Sequence, residues 1–378
     1  MVGKKNQSNQ LCELIAVTGE LPAAAVYRLG GGGEYKQDLI TRLKKTGVIK
    51  VHYRNKLRGY RLMAKTKQMF LADNPDRFEF FLTGNVETNI IQSDITRRLR
   101  LHRIANVMVT VYNADIALFR DEKPKVFSPG NSDDVEIVTP AFYGSREFKE
   151  IDYVMVKVQN ARAVGILLTC KDIFIVYNTE NYVMKWDSKA EMAVKVIIRH
   201  YLCLFRMSNQ YFSLQPVGLL FGNSMEMLYK VMTGGDRRKR GYFFLDNIFD
   251  RFIYLTNDRY GEVLLKLLCD RDRRDEFDRV LVDNMSLSAR SRSGLIENDA
   301  MDEQGNPVLF AYLPDMPRLA RFVSALSLHD KVGTVICFDF QEGILSKYCG
   351  KQVGFYTIDF DEFVEAFFPA SESTESST

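Results

Sequence analysis

The sequence predicts an α/β protein that begins with a small module of helices and a hairpin. Three observations support this class. Helical patterns with one apolar face alternate with short apolar strand patterns along most of the 378 residues. Residues 8–63 hold three helical patterns followed by two strand patterns around a polar turn. Residues 36–67 contain eleven lysines and arginines and one acid, Asp38.

The first two predicted helices are short. Residues 8–16 place Leu11, Leu14 and Ile15 on one face, and Gly19 ends the segment. Residues 21–29 have Pro22 at an early helical position and continue through three alanines, which is typical of a helix. Glycines occupy 30–33. Because no G-K-[ST] follows them and no strand precedes them, we interpret them as a turn and not as a nucleotide-binding loop.

Residues 34–46 form the third predicted helix, which Gly47 caps. The residues expected to face inward are Tyr35, Leu39, Ile40 and Leu43. Those expected to face outward are Lys36, Gln37, Thr41, Lys44 and Lys45. Strands at 48–53 and 57–63 follow, joined by a basic turn at 54–56. Three helices and a basic hairpin predict a winged helix, whose third helix is of a size to enter the DNA major groove.

The positive charge of this module favours contact with a phosphate backbone. Its excess of ten charges over residues 36–67 is larger than the net charge of +3 of the whole chain. Gln37 and Thr41 lie one turn apart and are placed to reach base edges. A solvated helix face and a protein-contacting module remain the alternatives. The predicted DNA contacts are Lys36, Gln37, Thr41, Lys44, Lys45, Arg54, Lys56, Arg58, Arg61, Arg97, Arg100 and Arg103.

The middle of the chain predicts a helix followed by a sheet. Residues 88–112 read as one helix in which Arg97, Arg100 and Arg103 share a face, as either a second phosphate-contacting surface or an interdomain salt-bridge strip. The remaining elements are expected as strands at 116–119, 163–169 and 173–177, a helix at 188–205 and a strand at 217–221. The resulting order, αβββαβ, is shared by restriction-endonuclease-like nucleases.

Such a nuclease needs an acid on one strand and an acid-x-lysine on the next, to hold a divalent metal and activate water. The corresponding strand, residues 173–178, contains no carboxylate, which predicts at most a degenerate core of this kind. Asp172 precedes it, and Asp187 and Lys189 match the D-x-K spacing at a helix start, where capping explains the acid. These three residues are the catalytic candidates of the alternative function, a metal-dependent nuclease or nicking enzyme.

The last third alternates strand and helix patterns. Strands are expected at 243–245, 252–255, 308–312, 332–338 and 355–358, helices at 260–268, 316–327, 340–348 and 360–368, and an exposed loop at 286–305. The predicted division is a winged-helix domain at 1–73, an α/β domain at 74–256, a C-terminal α/β region at 257–369 and a disordered tail at 370–378.

The composition argues against several protein classes. No apolar run approaches the roughly 20 residues of a membrane span, and no secretory signal is recognisable, so we expect a cytoplasmic protein without membrane contact. The six cysteines are scattered without a C-x-x-C pair, and the four histidines lack ligand spacing. We therefore expect neither a metal site nor a cofactor.

Three stretches resemble the replication-relaxation family, winged-helix proteins of plasmids and integrative conjugative elements of Gram-positive bacteria. They are Arg58-Gly59-Tyr60-Arg61-Leu62, residues 96–105 with their arginine-rich helix, and residues 119–124. The resemblance implies duplex DNA binding in replication, maintenance or transfer of a mobile element. Some members look as if they carry an acidic nuclease-like strand, from which residues 173–178 depart. A scaffold for other element-encoded proteins, and homodimerisation, remain open.

Overall fold

The computed structural model describes residues 6–128, 135–148, 161–234, 241–285, 287–289 and 296–369. Helices contain 47% of the residues and strands 19%, in three sheets, which confirms the α/β class. Among the helices of these ranges, none is long and apolar enough to cross a lipid bilayer. The predicted disordered tail at 370–378 lies outside the described residues.

The N-terminal part, called the N-terminal module below, contains three helices and a three-stranded antiparallel sheet. The helices are α1 (Gln7–Thr18), α2 (Ala23–Val26) and α3 (Gly33–Lys45). The strands β1 (Leu21–Pro22), β2 (Ile49–Arg54) and β3 (Leu57–Leu62) pair in the order β1-β3-β2. The second helix is shorter than predicted because Leu21 and Pro22 pair with Tyr60 and Gly59. Proline is tolerated there because β1 is an edge strand.

Three helices connect this module to the rest of the chain: α4 (Ala64–Asp73), α5 (Pro75–Leu82) and α6 (Ile95–Asn113). The side chain of Asn74 caps α5 by accepting a hydrogen bond from the Arg77 amide at 3.1 Å. The long helix expected from residue 88 begins only at Ile95, where Asp94 accepts from the Arg97 amide at 3.0 Å. Local capping chemistry therefore sets both helix starts.

The central sheet has the order β4-β5-β6-β7-β8. Its strands are β4 (Ala141–Gly144), β5 (Gly165–Leu168), β6 (Ile173–Glu180), β7 (Val217–Gly222) and β8 (Phe252–Thr256). The pairs β4–β5 and β5–β6 are antiparallel, whereas β6–β7 and β7–β8 are parallel. Helix α7 (Ser188–Arg199) continues as a π-helical turn (His200–Arg206), and α8 (Ser208–Tyr211) and α9 (Met225–Met232) flank β7 in the chain.

Two predicted strands of this region are wrong. Residues 116–119 form only a single bridge, from Ala117 to Ala141, and the first strand of the sheet is β4 instead. Residues 243–245 form no strand, although the neighbouring Tyr242 bridges to Lys185. Short apolar runs do not reveal whether a pairing partner is available, so the pattern alone misplaced both.

The C-terminal part forms a second five-stranded sheet of order β13-β12-β11-β10-β9. Its helices are α10 (Arg259–Cys269), α11 (Arg271–Asn284), α12 (Met316–Leu328), α13 (Asp339–Cys349) and α14 (Phe360–Phe367). Its strands are β9 (Ser288–Ala289), β10 (Ala300–Met301), β11 (Pro307–Phe310), β12 (Gly333–Phe338) and β13 (Val353–Ile358). The loop expected at 286–305 is thus wrong in part, since β9 and β10 pair within it.

Apolar side chains cover both faces of the central sheet. On one face, Phe174 of β6 belongs to a core cluster that also contains Leu14 of α1, Val107 of α6 and Leu265 of α10. On the other face, Ile175 packs in a second cluster with residues of α7 and α9. The first cluster draws on all three predicted domains, so burial joins them into one packed body. The three-part division itself stays a prediction.

A buried carboxyl lies between the central sheet and α7. Glu191 is fully buried, and one of its carboxyl oxygens accepts a hydrogen bond from the Arg162 amide at 2.7 Å. Burial raises the pKa of Glu191 to about 7, and the hydrogen bond from the Arg162 amide offsets this rise only in part. As the pH rises, the unfolded chain releases the Glu191 proton near the ordinary pKa of 4.5, whereas the folded protein keeps this proton until about pH 7.

We expect the wild-type protein to lose roughly 2–3 kcal/mol of stability between pH 5 and pH 7.5 because Glu191 must ionise in a buried position. The variant Glu191→Gln should lose little over the same range. Urea unfolding at both pH values measures this. Glu303→Gln, which changes an exposed acid, should keep the wild-type dependence. An equal loss in Glu191→Gln and the wild type would show that this carboxyl is already ionised at pH 5.

Candidate nucleic-acid interface

Helix α3 keeps one face exposed to solvent. Leu39, Ile40 and Leu43 are buried, while Gln37 and Thr41 are exposed at positions one turn apart. Arg42, Lys44 and Lys45 are also exposed. Arg42 donates to the Ser8 hydroxyl at 3.3 Å. The helix that was expected to enter the groove is therefore not covered by a neighbouring part of the described chain.

The hairpin of β2 and β3 carries three exposed basic side chains near its tip, Arg54, Lys56 and Arg58. Its two central residues, Asn55 and Lys56, have positive φ angles of 52° and 62°. Positive φ at both positions is typical of the tight turns that follow the natural twist of paired strands. The tip is thus a short, well-defined projection with basic side chains on it.

Two predicted DNA contacts, Lys36 and Arg61, are buried, which corrects the expectation that Lys36 faces outward. The Lys36 ammonium donates to the carbonyl of Tyr27 at 2.9 Å. Lys36 stands at the helical spacing of Leu39, Ile40 and Leu43, and this spacing is the sequence signal that was missed. Tyr35, expected to be inside, is 47% exposed instead.

Arg61 belongs to a buried ionic cluster around Glu20. The Glu20 side chain has no exposed surface. Its oxygens accept hydrogen bonds from Arg61 Nε at 2.7 Å and Arg98 Nη2 at 2.6 Å, and His102 Nε2 lies 2.7 Å away. Burial alone would raise the pKa of Glu20, but the hydrogen bonds from His102, Arg98 and Arg61 outweigh it and hold the pKa far below its ordinary value. Glu20 is therefore an ionised carboxylate inside the protein.

Arg98 also attaches the hairpin to α6. Its guanidinium donates to the carbonyls of Arg54 at 3.1 Å, Leu57 at 3.2 Å and His52 at 3.3 Å. Gly59 of the hairpin leaves room for the Glu20 side chain, because a Cβ atom at position 59 would lie 2.4 Å from a Glu20 oxygen. The hairpin is thereby fixed against the long helix, and its basic tip is oriented before any ligand arrives.

The arginine row on α6 divides into two kinds of residue. Arg103 pairs with Glu180 of β6 at 3.1 Å, and Arg100 lies 3.6 Å from Glu87. Arg97 is exposed. The sequence left open whether this row is an ion-pair strip or a phosphate-contacting surface. An ion-pair strip describes Arg103 best, because its ion pair joins α6 to the central sheet. A phosphate contact by Arg97 stays a prediction.

The nuclease candidates lie apart in the fold. Asp172 sits in the turn before β6, where its amide donates to the Thr169 hydroxyl at 2.9 Å. Asp187 follows β6 and caps α7 by accepting from the amides of Lys189 and Ala190 at 3.1 and 3.2 Å. The carboxylate that completes the D-x-K spacing thus has a structural role at this helix start. Among the described residues, no three His, Cys, Asp or Glu side chains form a group able to hold a metal ion.

Sequence reasoning missed Glu20 and Tyr27. The partners of Glu20 are 41, 78 and 82 residues away in the chain, so no local pattern reveals the cluster.

Protein-family models, curated protein sequences and solved structures give no match to this chain. The resemblance to the replication-relaxation family therefore stays a prediction.

We expect Glu20→Gln to lower the free energy of unfolding by roughly 3–5 kcal/mol, because it leaves buried cations without their counter-charge. Chemical denaturation at neutral pH measures this loss. Since the folded-state pKa of Glu20 lies below its ordinary value of 4.5, the stabilisation is complete at pH 7 and disappears only in acid. Glu34→Gln, an exposed acid on α3, should cost less than about 1 kcal/mol. Similar losses in the two variants would contradict the ionic cluster.

Reversing two charges on α3, by Lys44→Glu with Lys45→Glu, should abolish measurable duplex binding near 0.15 M salt. At lower salt, where binding remains measurable, the salt slope should fall by about two. Both side chains are exposed, so folding should persist. The control Lys331→Glu with Lys351→Glu makes the same change in net charge at exposed positions of the C-terminal part. Fluorescence anisotropy with a labelled duplex compares them. Equal affinity of the two double variants would rule out α3 as the contact surface.

Proposed function

We propose that this chain binds duplex DNA through the N-terminal module and that this module is a winged helix. The order of α1, α2 and α3 followed by the β2–β3 hairpin supports the assignment. So does the edge strand β1, which pairs with β3 and closes the small sheet. In this assignment α3 enters the major groove, and the hairpin lies against the adjacent backbone.

The observation that carries the proposal is the charge of the exposed surface of α3 and the hairpin. Two of its exposed residues are acidic, Glu34 and Asp38. Seven are basic: Arg42, Lys44, Lys45, Lys50, Arg54, Lys56 and Arg58. The surface therefore keeps five positive charges in excess, with the buried Lys36 and Arg61 not counted. Such a surface gains affinity for DNA by releasing the counterions that cover the phosphates.

The ionic cluster supports the same function through rigidity. The hairpin backbone is held by Arg98, and the hairpin's own Arg61 is held by Glu20. A surface whose geometry exists before binding loses less conformational entropy when the complex forms. We infer that the cluster orients the basic tip for its partner.

The central sheet is best interpreted as a degenerate restriction-endonuclease-like core. Its elements follow in the order α6, β4, β5, β6, α7 and β7, with three antiparallel strands and then a parallel pair. Strand β6 carries apolar residues where the acid-x-lysine would stand, and all of its residues from Ile173 to Tyr177 are buried. We therefore assign the sheet a structural role in supporting the N-terminal module and propose no cleavage step.

The resemblance stated above extends the proposal to a biological setting. A DNA-binding protein of this kind would act in the replication, maintenance or transfer of a plasmid or other mobile element. The proposed phosphate contacts do not depend on this biological setting, because they would form with DNA from any source.

The test is a salt titration with linear and supercoiled duplex. We expect the logarithm of the affinity to fall linearly with the logarithm of salt concentration, with a loss of about 10³-fold between 50 and 200 mM if six or more phosphates are contacted. Isothermal titration or filter binding measures the slope. Affinity that is absent, or that does not change with salt, would refute duplex binding by this surface.

A parallel arm with Mg²⁺ or Mn²⁺ separates binding from cutting. Metal-dependent cleavage that is lost in Asp187→Asn would favour the nuclease alternative. Asparagine is used because it caps helices about as well as aspartate, so the variant removes the carboxylate charge and keeps the helix start. Asp172→Ala tests the second acid in the same way.

A further inference from the structure

The turn between α2 and α3 is held in place by Lys36. Tyr27 directly follows α2 as the first residue of this turn, and its carbonyl accepts a hydrogen bond from the buried Lys36 ammonium at 2.9 Å. A buried lysine needs such acceptors because its charge is costly away from water. The backbone of Tyr27 is therefore anchored to α3, while half of the residue remains exposed.

From this anchor the Tyr27 ring reaches Gln37 on the exposed face of α3. The Tyr27 hydroxyl donates a hydrogen bond to the side-chain oxygen of Gln37 at 3.0 Å. Gln37 in turn lies one turn before Thr41 on the surface assigned to DNA. A glutamine amide has an accepting oxygen and a donating NH₂ group at opposite corners. With the oxygen directed to Tyr27, the NH₂ group is the one presented to solvent.

We propose that Tyr27 is a positioning residue that makes Gln37 a hydrogen-bond donor and so selects guanine at one position of the DNA site. This inference rests on the duplex binding proposed above. In the major groove, guanine offers two adjacent acceptors, N7 and O6. Adenine offers an acceptor beside a donor, and reading it needs both corners of the amide. An amide whose oxygen is directed to Tyr27 matches the acceptor pair of guanine better.

Removing the Tyr27 hydroxyl should therefore change which base is preferred, and not how tightly phosphates are held. Once released, the Gln37 amide can turn and use both corners, as adenine requires. Because Tyr27 and Gln37 are exposed and Lys36 still holds the turn through the backbone carbonyl, the fold does not depend on this hydroxyl.

The experiment selects bound duplexes from a randomised library with the full chain and compares base frequencies at each position. Wild type should show guanine at the position read by Gln37, and Tyr27→Phe should shift that position toward adenine by about fivefold to tenfold. Gln37→Ala should remove the preference there. Tyr356→Phe is the matched control, because it removes a hydroxyl from a similarly exposed tyrosine on β13, outside the N-terminal module. It should leave the selected sequences unchanged.

The salt slope of each variant, measured on one fixed duplex, separates the two proposals. In one outcome the salt slope stays steep and unchanged, and neither Tyr27→Phe nor Gln37→Ala alters the base frequencies. This result would overturn the base-selection inference and leave duplex binding intact. If Gln37→Ala alters the base frequencies and Tyr27→Phe does not, the positioning role of Tyr27 is overturned. No affinity of the wild type for any duplex would overturn both.

Discussion

A single buried carboxylate, Glu20, sets the geometry of the N-terminal module. An ionised carboxylate inside a protein is tolerated only when cations and hydrogen bonds replace water around it. Arg61 comes from the hairpin, and Arg98 and His102 come from α6, so satisfying one charge requires all of these elements to meet at one point. The hairpin has little freedom to move away from α6 without breaking this cluster. Its basic tip inherits that fixed orientation.

The basic residues of the module therefore perform two different tasks. Lys36 and Arg61 are buried and, together with Arg98 of α6, bind carbonyls or Glu20, so their charges hold the module together. The exposed lysines and arginines of α3 and the hairpin leave their charges in solvent, where they can replace the counterions of a phosphate backbone. A count of basic residues merges these two groups. Separating them reduces the charge available to a ligand, but the remaining surface is still strongly positive.

Helix α6 connects this module to the central sheet by polar contacts as well as apolar packing. Arg103 and Asn106 bind Glu180 at the end of β6. Arg28, next to the turn before α3, binds Glu262 of α10 at 2.7 Å and donates to the Asn106 carbonyl. The surface proposed to bind DNA is thus held by the same network that reaches the sheet. In this arrangement the sheet supports the module.

The sequence by itself determined the features that depend on neighbouring residues: the α/β class, the span of α3, the hairpin and its turn, and the capping role of Asp187. Periodicity and capping act within a few residues, so a single sequence carries them. The tertiary structure alone decided that β1 pairs with β3, that β4 replaces the strand expected at 116–119, and that Arg61 is inside. These outcomes require partners from distant parts of the chain. Burial and ion pairing over such separations leave no local pattern, because the energy that favours them exists only once the chain has folded.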